Sequence, residues 1–146
     1  MLFRSGDVFG YYYEYEEVIN FLKRNYVKCI LGNHDKMAID VLLGEQSNLT
    51  DLVTMYGSGY NQIISSRDFY LEYLCQLDTH YEEIFNNKKV LMVHGSPTDE
   101  LHGRIYPSTR LEVGEWQDYD LYFCGDRKST RLNSSHSSVS RMPSSA

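Results

Sequence analysis

Little in this 146-residue sequence points to disulfide bonds, a membrane span or a secretion signal. It has three cysteines and no Cys-x-x-Cys pair, which argues against a disulfide framework or a zinc ribbon and favours a reducing compartment. No apolar run approaches the roughly 20 residues of a membrane span, and no signal-peptide pattern follows Met1. We therefore expect a cytoplasmic protein that does not contact the membrane.

An excess of basic residues is also missing, because the net charge is -6. A basic surface that grips nucleic acid is therefore not expected, although an acidic protein can still bind a phosphate through bound cations. There is no Gly-rich phosphate loop with a Lys, so nothing supports a kinase or a mutase. The length suffices for one domain with a sizeable core.

The most informative stretch is Gly32-Asn33-His34-Asp35, which follows the apolar run from Val27 to Leu31. An amide oxygen and an imidazole at the end of a strand suit a metal or a phosphate better than a packed core. Upstream, Gly6-Asp7 ends another predicted strand, where Asp7 is either a cap or a metal ligand. Downstream, Val90–Val93 predicts a buried strand that ends at His94. The exit Gly95-Ser96-Pro97 is expected to leave the His94 ring exposed.

Together, Gly6-Asp7, Gly32-Asn33-His34-Asp35 and Val93-His94-Gly95 resemble the motifs of the calcineurin-like metallophosphoesterase superfamily. The likeness is greatest to its small bacterial and archaeal phosphodiesterase branch, and it runs from Phe3 to Gly125. The resemblance implies an α/β, α+β-like fold: a fragment of a four-layered β-sandwich whose sheets are flanked by helices. It also implies hydrolysis of a small phosphomonoester or phosphodiester by a water activated between two divalent metal ions.

The resemblance further implies a role for each motif residue. Asp7 would bridge the two metals, Asn33 would bind through its amide oxygen, and His94 through a ring nitrogen. His34 would stabilise the phosphoryl oxygens and act as the general acid, while Asp35 would orient His34. This mixture of oxygen and nitrogen ligands suits manganese, iron or zinc without selecting one.

Two further motifs of that family, Asp-x-His at the first strand and Gly-His-x-His after the last, are absent. Because the losses fall at the two ends while the central motifs are intact, we expect truncation at both ends. The second metal site would then be incomplete and this chain weakly active or inactive. The alternative is a degenerate, non-catalytic domain with a binding or interaction role.

The composition changes at Asp126, where a Ser-rich, basic stretch without helical or strand periodicity begins. This stretch matches the translation of a common sequencing adapter. The sequence therefore predicts a partial metallophosphoesterase domain over residues 1–125 and a non-native, disordered tail over residues 126–146.

Local patterns predict the remaining elements. Apolar residues at helical spacing and the charges at the two ends predict a helix from Glu14 to near Asn25. A second helix should stop at Gly44, and a third should begin after Ser66. Asn86-Asn87-Lys88 predicts a hairpin turn. His80, in a polar segment, is expected at the surface.

Overall fold

The computed structural model describes residues 2–10, 13–44, 50, 53–54, 59–106 and 118–126, together with the backbone of 138–141. The chain divides into two compact units, Met1–Asp78 and Thr79–Ala146. Helices combined with parallel and mixed sheets place the protein in the α+β class. No helix in the described part of the chain is long and apolar enough to cross a membrane.

The first unit contains a short parallel sheet and several helices. Its described elements are β1 (Phe3–Arg4), α1 (Tyr15–Arg24), β2 (Lys28–Cys29), α2 (Asn33–Leu43), α3 (Gly59–Ser65) and α4 (Arg67–Leu74). Strands β1 and β2 pair in parallel, with Phe3 opposite Lys28 and Arg4 opposite Cys29. The predicted strand–helix–strand unit is confirmed, although both strands are shorter than predicted.

Helix α1 buries one side, as its apolar spacing predicts. Tyr15, Ile19 and Leu22 are buried, whereas Val18 is 40% exposed and lies at the edge of the buried stripe. The Tyr15 ring packs against Phe9, with the ring centroids 4.7 Å apart. This contact joins α1 to the loop that follows β1.

Helix α2 begins at Asn33, so the polar motif forms its first turn instead of a loop in front of it. It ends at Leu43, and Gly44 takes the left-handed conformation with φ 77°. The predicted stop at Gly44 is therefore confirmed. The predicted start of α4 after Ser66 is also confirmed, but the Ser66 side chain makes no capping hydrogen bond.

Gly44 offers a test of this helix end. A Cβ at Gly44 would meet no atom within 4 Å, so Gly44→Ala introduces backbone strain without a steric clash. We expect a loss of about 1 kcal/mol in the free energy of unfolding, and a smaller loss for Gly44→Asn, because Asn tolerates the left-handed region better. Denaturant unfolding followed by circular dichroism measures both. Equal losses for the two variants would contradict this explanation.

The second unit is built on a mixed sheet with the strand order β3-β4-β5-β6. These strands are β3 (His80–Phe85), β4 (Lys88–Val93), β5 (Leu121–Cys124) and β6 (Ser138–Arg141). β4 pairs antiparallel with β3 and parallel with β5, and β6 pairs antiparallel with β5. The β3–β4 hairpin is confirmed. Asn86 and Asn87 have φ values of 49° and 60°, as a two-residue hairpin turn requires.

The predicted central strand is also confirmed, because β4 lies between β3 and β5. Its residues Leu91 and Val93 pack with Tyr122 and Cys124 of β5 to form the core of this unit. Strand β6 lies within the predicted tail, of which residues 127–137 and 142–146 fall outside the described residues. The predicted boundary between residues 125 and 126 stays a prediction.

Candidate functional site

Asp7 lies where the chain leaves the carboxyl end of β1, and its side chain reaches the start of α2. Its Oδ1 accepts a hydrogen bond from the backbone N–H of His34 at 3.2 Å. A Cβ at Gly32 would lie 2.3 Å from both the backbone nitrogen and Oδ1 of Asp7, so only glycine permits this approach. Asp7, which follows β1, therefore caps the first turn of α2, which follows β2. This contact is compatible with either of the two roles considered for Asp7.

Asn33 and His34 occupy the first turn of α2, directly beside Asp7. Asn33 is half-buried, whereas His34 is 0% exposed. The His34 ring lies beneath Gly10, where an added Cβ would be 2.4 Å from Nδ1. The backbone carbonyl of His34 accepts a hydrogen bond from the Tyr60 hydroxyl at 3.3 Å. In this conformation Gly10 packs directly against the buried ring, so a role as general acid requires the segment at Gly10 to move.

The Asp35 carboxylate accepts hydrogen bonds from three backbone N–H groups. Its Oδ1 accepts hydrogen bonds from the backbone N–H groups of Val8 at 2.8 Å and Phe9 at 3.0 Å. Its Oδ2 accepts one from Gly32 at 2.9 Å, which is half of a capping box. The predicted role of Asp35 in orienting the His34 ring stays a prediction. Because Val8 and Phe9 lie 27 and 26 residues away in sequence, Asp35 fastens the β1 loop onto α2.

The electrostatics of Asp35 follow from this burial. The carboxyl group is fully buried, and desolvation raises its pKa from 3.8 to about 6. The three N–H donors oppose this shift because they stabilise the charged form, and the nearby Asp7 adds to it. Desolvation is the largest of these effects.

His94 follows β4 in the second unit, as predicted, but the expected exposure of its ring is wrong. The residue is only 2% exposed. The chain after it folds back on itself: the Gly95 N–H donates to the Glu100 carbonyl at 2.6 Å, and a Cβ at Gly95 would lie 2.7 Å from the nitrogen of Gly103. The tight exit therefore covers the strand end. His80, by contrast, is half-exposed, which confirms its predicted surface position, and its Nδ1 lies 2.9 Å from a carboxylate oxygen of Glu100.

Asp126 lies close to His94, a contact that the sequence did not predict. Ligand atoms of the two side chains lie within 4.8 Å of each other, and the Asp126 side chain is only 6% exposed. The Arg104 Nε lies 3.5 Å from an Asp126 carboxylate oxygen. Composition assigned Asp126 to the tail. The position of Asp126 directly after β5 could have predicted that it lies near His94, because β4 and β5 are parallel and end at the same edge of the sheet.

Both parallel strand pairs thus collect chemically capable side chains at their carboxyl ends. In the first unit these are Asp7, Asn33 and His34, and in the second His94 and Asp126. Carboxylate, amide and imidazole groups form a donor set that fits a divalent transition metal. This collection at strand ends is typical of ligand sites in α/β sheets.

Comparisons with known proteins give information on the fold. No family model matches the sequence, and no curated protein matches it. Among solved structures, the crystal structure of a hypothetical protein from Pyrococcus horikoshii OT3 is similar, with a TM-score of 0.55 and 19% sequence identity. The match covers 74% of this chain and 46% of that protein, so the chain spans less than half of its length. At this identity the likeness concerns the α+β fold alone.

Proposed function

We propose that this chain derives from a metal-dependent phosphoesterase and is a fragment of the four-layered β-sandwich fold of that family. The observation that carries the proposal is the contact of Asp7 with the first turn of α2. There the carboxylate accepts the His34 N–H while Asn33 stands beside it. A carboxylate and an amide are thus brought to one strand edge, as the Gly6-Asp7 and Gly32-Asn33 motifs lead one to expect.

The proposed ligands are Asp7, Asn33 and His94, with manganese, iron or zinc as the metal. Divalent ions in such a centre supply Lewis acidity and lower the pKa of a water molecule so that it can attack phosphorus. His34 donates a proton to the leaving alkoxide once the segment at Gly10 has moved. Asp35 orients His34 and also holds the loop that carries Asp7, through its bonds to Val8 and Phe9.

The substrate class that we propose is a small phosphomonoester or phosphodiester. A net charge of -6 disfavours binding of nucleic acid through a basic surface. Bound cations would offset the repulsion between the acidic protein and a small phosphate. The proposed location is cytoplasmic, in keeping with three cysteines that all remain free thiols in the structure.

Hydrolysis assays with p-nitrophenyl phosphate and bis(p-nitrophenyl) phosphate in Mn²⁺ or chelator test this function. The assays compare hydrolysis by the 146-residue chain with hydrolysis by the protein that the longer reading frame of its source DNA encodes. We expect chelator-sensitive turnover by the longer protein and little by the short chain. His34→Asn in the longer protein should lower kcat by about 10²–10⁴-fold, the usual contribution of a general acid.

The matched control for this variant is His80→Asn, because His80 is a half-exposed histidine whose Nδ1 contacts the Glu100 carboxylate at the surface. It should leave kcat unchanged. Hydrolysis that persists in chelator, or a His34→Asn variant as active as the His80→Asn variant, would contradict the proposed function.

A further inference from the structure

The loop between β1 and Asp7 contains an unusual backbone turn. Gly6 and Asp7 both have positive φ values, of 85° and 55°. Glycine adopts this region freely, but for Asp it is sparsely populated and costs roughly 1 kcal/mol. Left without support, Asp7 would relax towards negative φ and its carboxylate would point elsewhere. Something nearby must therefore hold the turn.

Arg4 supplies that support from the end of β1. Its Nε donates to the Gly6 carbonyl at 3.0 Å and its Nη2 donates to the Asp7 carbonyl at 2.6 Å. Hydrogen bonds from a charged donor are shorter and stronger than neutral ones. Arg4 is itself fixed in the sheet, because its carbonyl accepts the Ile30 N–H at 3.2 Å. The guanidinium therefore closes the turn onto a fixed strand.

The Asp7 carboxylate is held from the opposite side. Its Oδ1 accepts the His34 N–H, and Gly32 leaves room for it. Arg4 thus sets the backbone of Asp7 while α2 sets its side chain. Two hydrogen bonds of the guanidinium go to the carbonyl oxygens of Gly6 and Asp7, so the Arg4 side chain holds the backbone of the turn.

We propose that Arg4 is the positioning residue for the metal ligand Asp7, acting through the carbonyl groups of Gly6 and Asp7. This inference rests on the proposed function for the role of Asp7 as a ligand. The planar fork of Arg reaches two carbonyls at once, which the single ammonium of Lys cannot do. Arg4→Lys should therefore recover only part of what Arg4→Met loses.

The test measures two properties of the 146-residue chain. The first is Mn²⁺ affinity by electron paramagnetic resonance, which we expect to fall about 10–100-fold in Arg4→Met, as is usual when a partner that orients a ligand is lost. The second needs no metal: hydrogen exchange of the His34 amide should accelerate about tenfold, because its acceptor on Asp7 is no longer held in place.

The control is Arg67→Met, which removes another arginine of the same unit that donates to a backbone carbonyl, that of Leu42 at 2.8 Å. It should leave Mn²⁺ affinity and His34 exchange unchanged even where it lowers the melting temperature. If Arg4→Met leaves His34 exchange and Mn²⁺ affinity unchanged, the inference is wrong. If exchange accelerates but the wild-type chain binds no Mn²⁺, the support of the turn stands. In that case the role of Asp7 as a metal ligand, and with it the proposed function, is wrong.

Discussion

Replacing Asp35 by Ala should lower the free energy of unfolding by about 2–4 kcal/mol, because a buried hydrogen-bond acceptor is lost. The variant leaves the N–H groups of Val8, Phe9 and Gly32 without their acceptor in a buried setting. Each unsatisfied group costs about 1–3 kcal/mol, partly offset because the cost of burying the charge is also removed. Urea unfolding followed by circular dichroism measures the loss.

Asp40→Ala is the matched control, since Asp40 lies on the same helix and pairs with Lys36 at the surface. Such a pair contributes at most about 1 kcal/mol. A cost for Asp35→Ala no larger than that for Asp40→Ala would contradict the role of Asp35 in fastening the loop.

The pH dependence of stability provides a second readout of the same residue. Burial raises the pKa of Asp35 from 3.8 to about 6, so between these values the native state binds a proton that the unfolded state has released. The contribution of Asp35 is therefore fully present below about pH 4 and is lost as pH rises through 6. The loss amounts to about 3 kcal/mol. The Asp35→Asn variant should lack this pH dependence of the free energy of unfolding. If the free energies of unfolding of wild type and Asp35→Asn differ by the same amount from pH 4 to 7, the raised pKa of Asp35 is contradicted.

Gly32→Ala should cost about 2–4 kcal/mol and weaken metal binding at the same time. The new Cβ would lie 2.3 Å from the backbone nitrogen and Oδ1 of Asp7, and the backbone nitrogen cannot rotate away. Overpacking of this kind costs about 1–3 kcal/mol, and the hydrogen bond to His34 contributes about 1 more. Urea unfolding and Mn²⁺ titration measure the two effects.

Gly44→Ala makes the same chemical change at a position with open space but a positive φ. Gly32 has φ -99°, so comparing the two variants separates crowding from backbone strain. We expect Gly44→Ala to leave Mn²⁺ affinity unchanged. If Gly32→Ala is no more destabilising than Gly44→Ala and binds Mn²⁺ normally, the described approach of Asp7 to α2 is wrong.

Local features of the fold could be predicted from sequence because short-range chemistry determines them. The stop of α2 at Gly44 and the turn at Asn86 and Asn87 each depend on residues that tolerate positive φ. The buried side of α1 follows from apolar spacing over only two turns of helix. In these cases the residues that decide the structure are neighbours in the chain.

The environment of the candidate residues could not be predicted, because distant segments create it. Asp35 accepts hydrogen bonds from Val8 and Phe9, which lie 27 and 26 residues away, so its position beside His34 in the sequence does not reveal these contacts. His94 is buried because the chain after Gly95 folds back, which the sequence of the exit does not reveal. Asp126 is brought near His94 by the parallel pairing of β4 and β5.

The central claim is that Asp7 belongs to a divalent metal site, and a Mn²⁺ titration of wild type and Asp7→Asn tests it most directly. Asp120→Asn is the control, because Asp120 is an exposed carboxylate that pairs with Lys88 at 2.7 Å. We predict saturable Mn²⁺ binding that falls at least roughly tenfold in Asp7→Asn and is kept in Asp120→Asn. No saturable binding by the wild-type chain, or equal binding by all three proteins, would contradict the account.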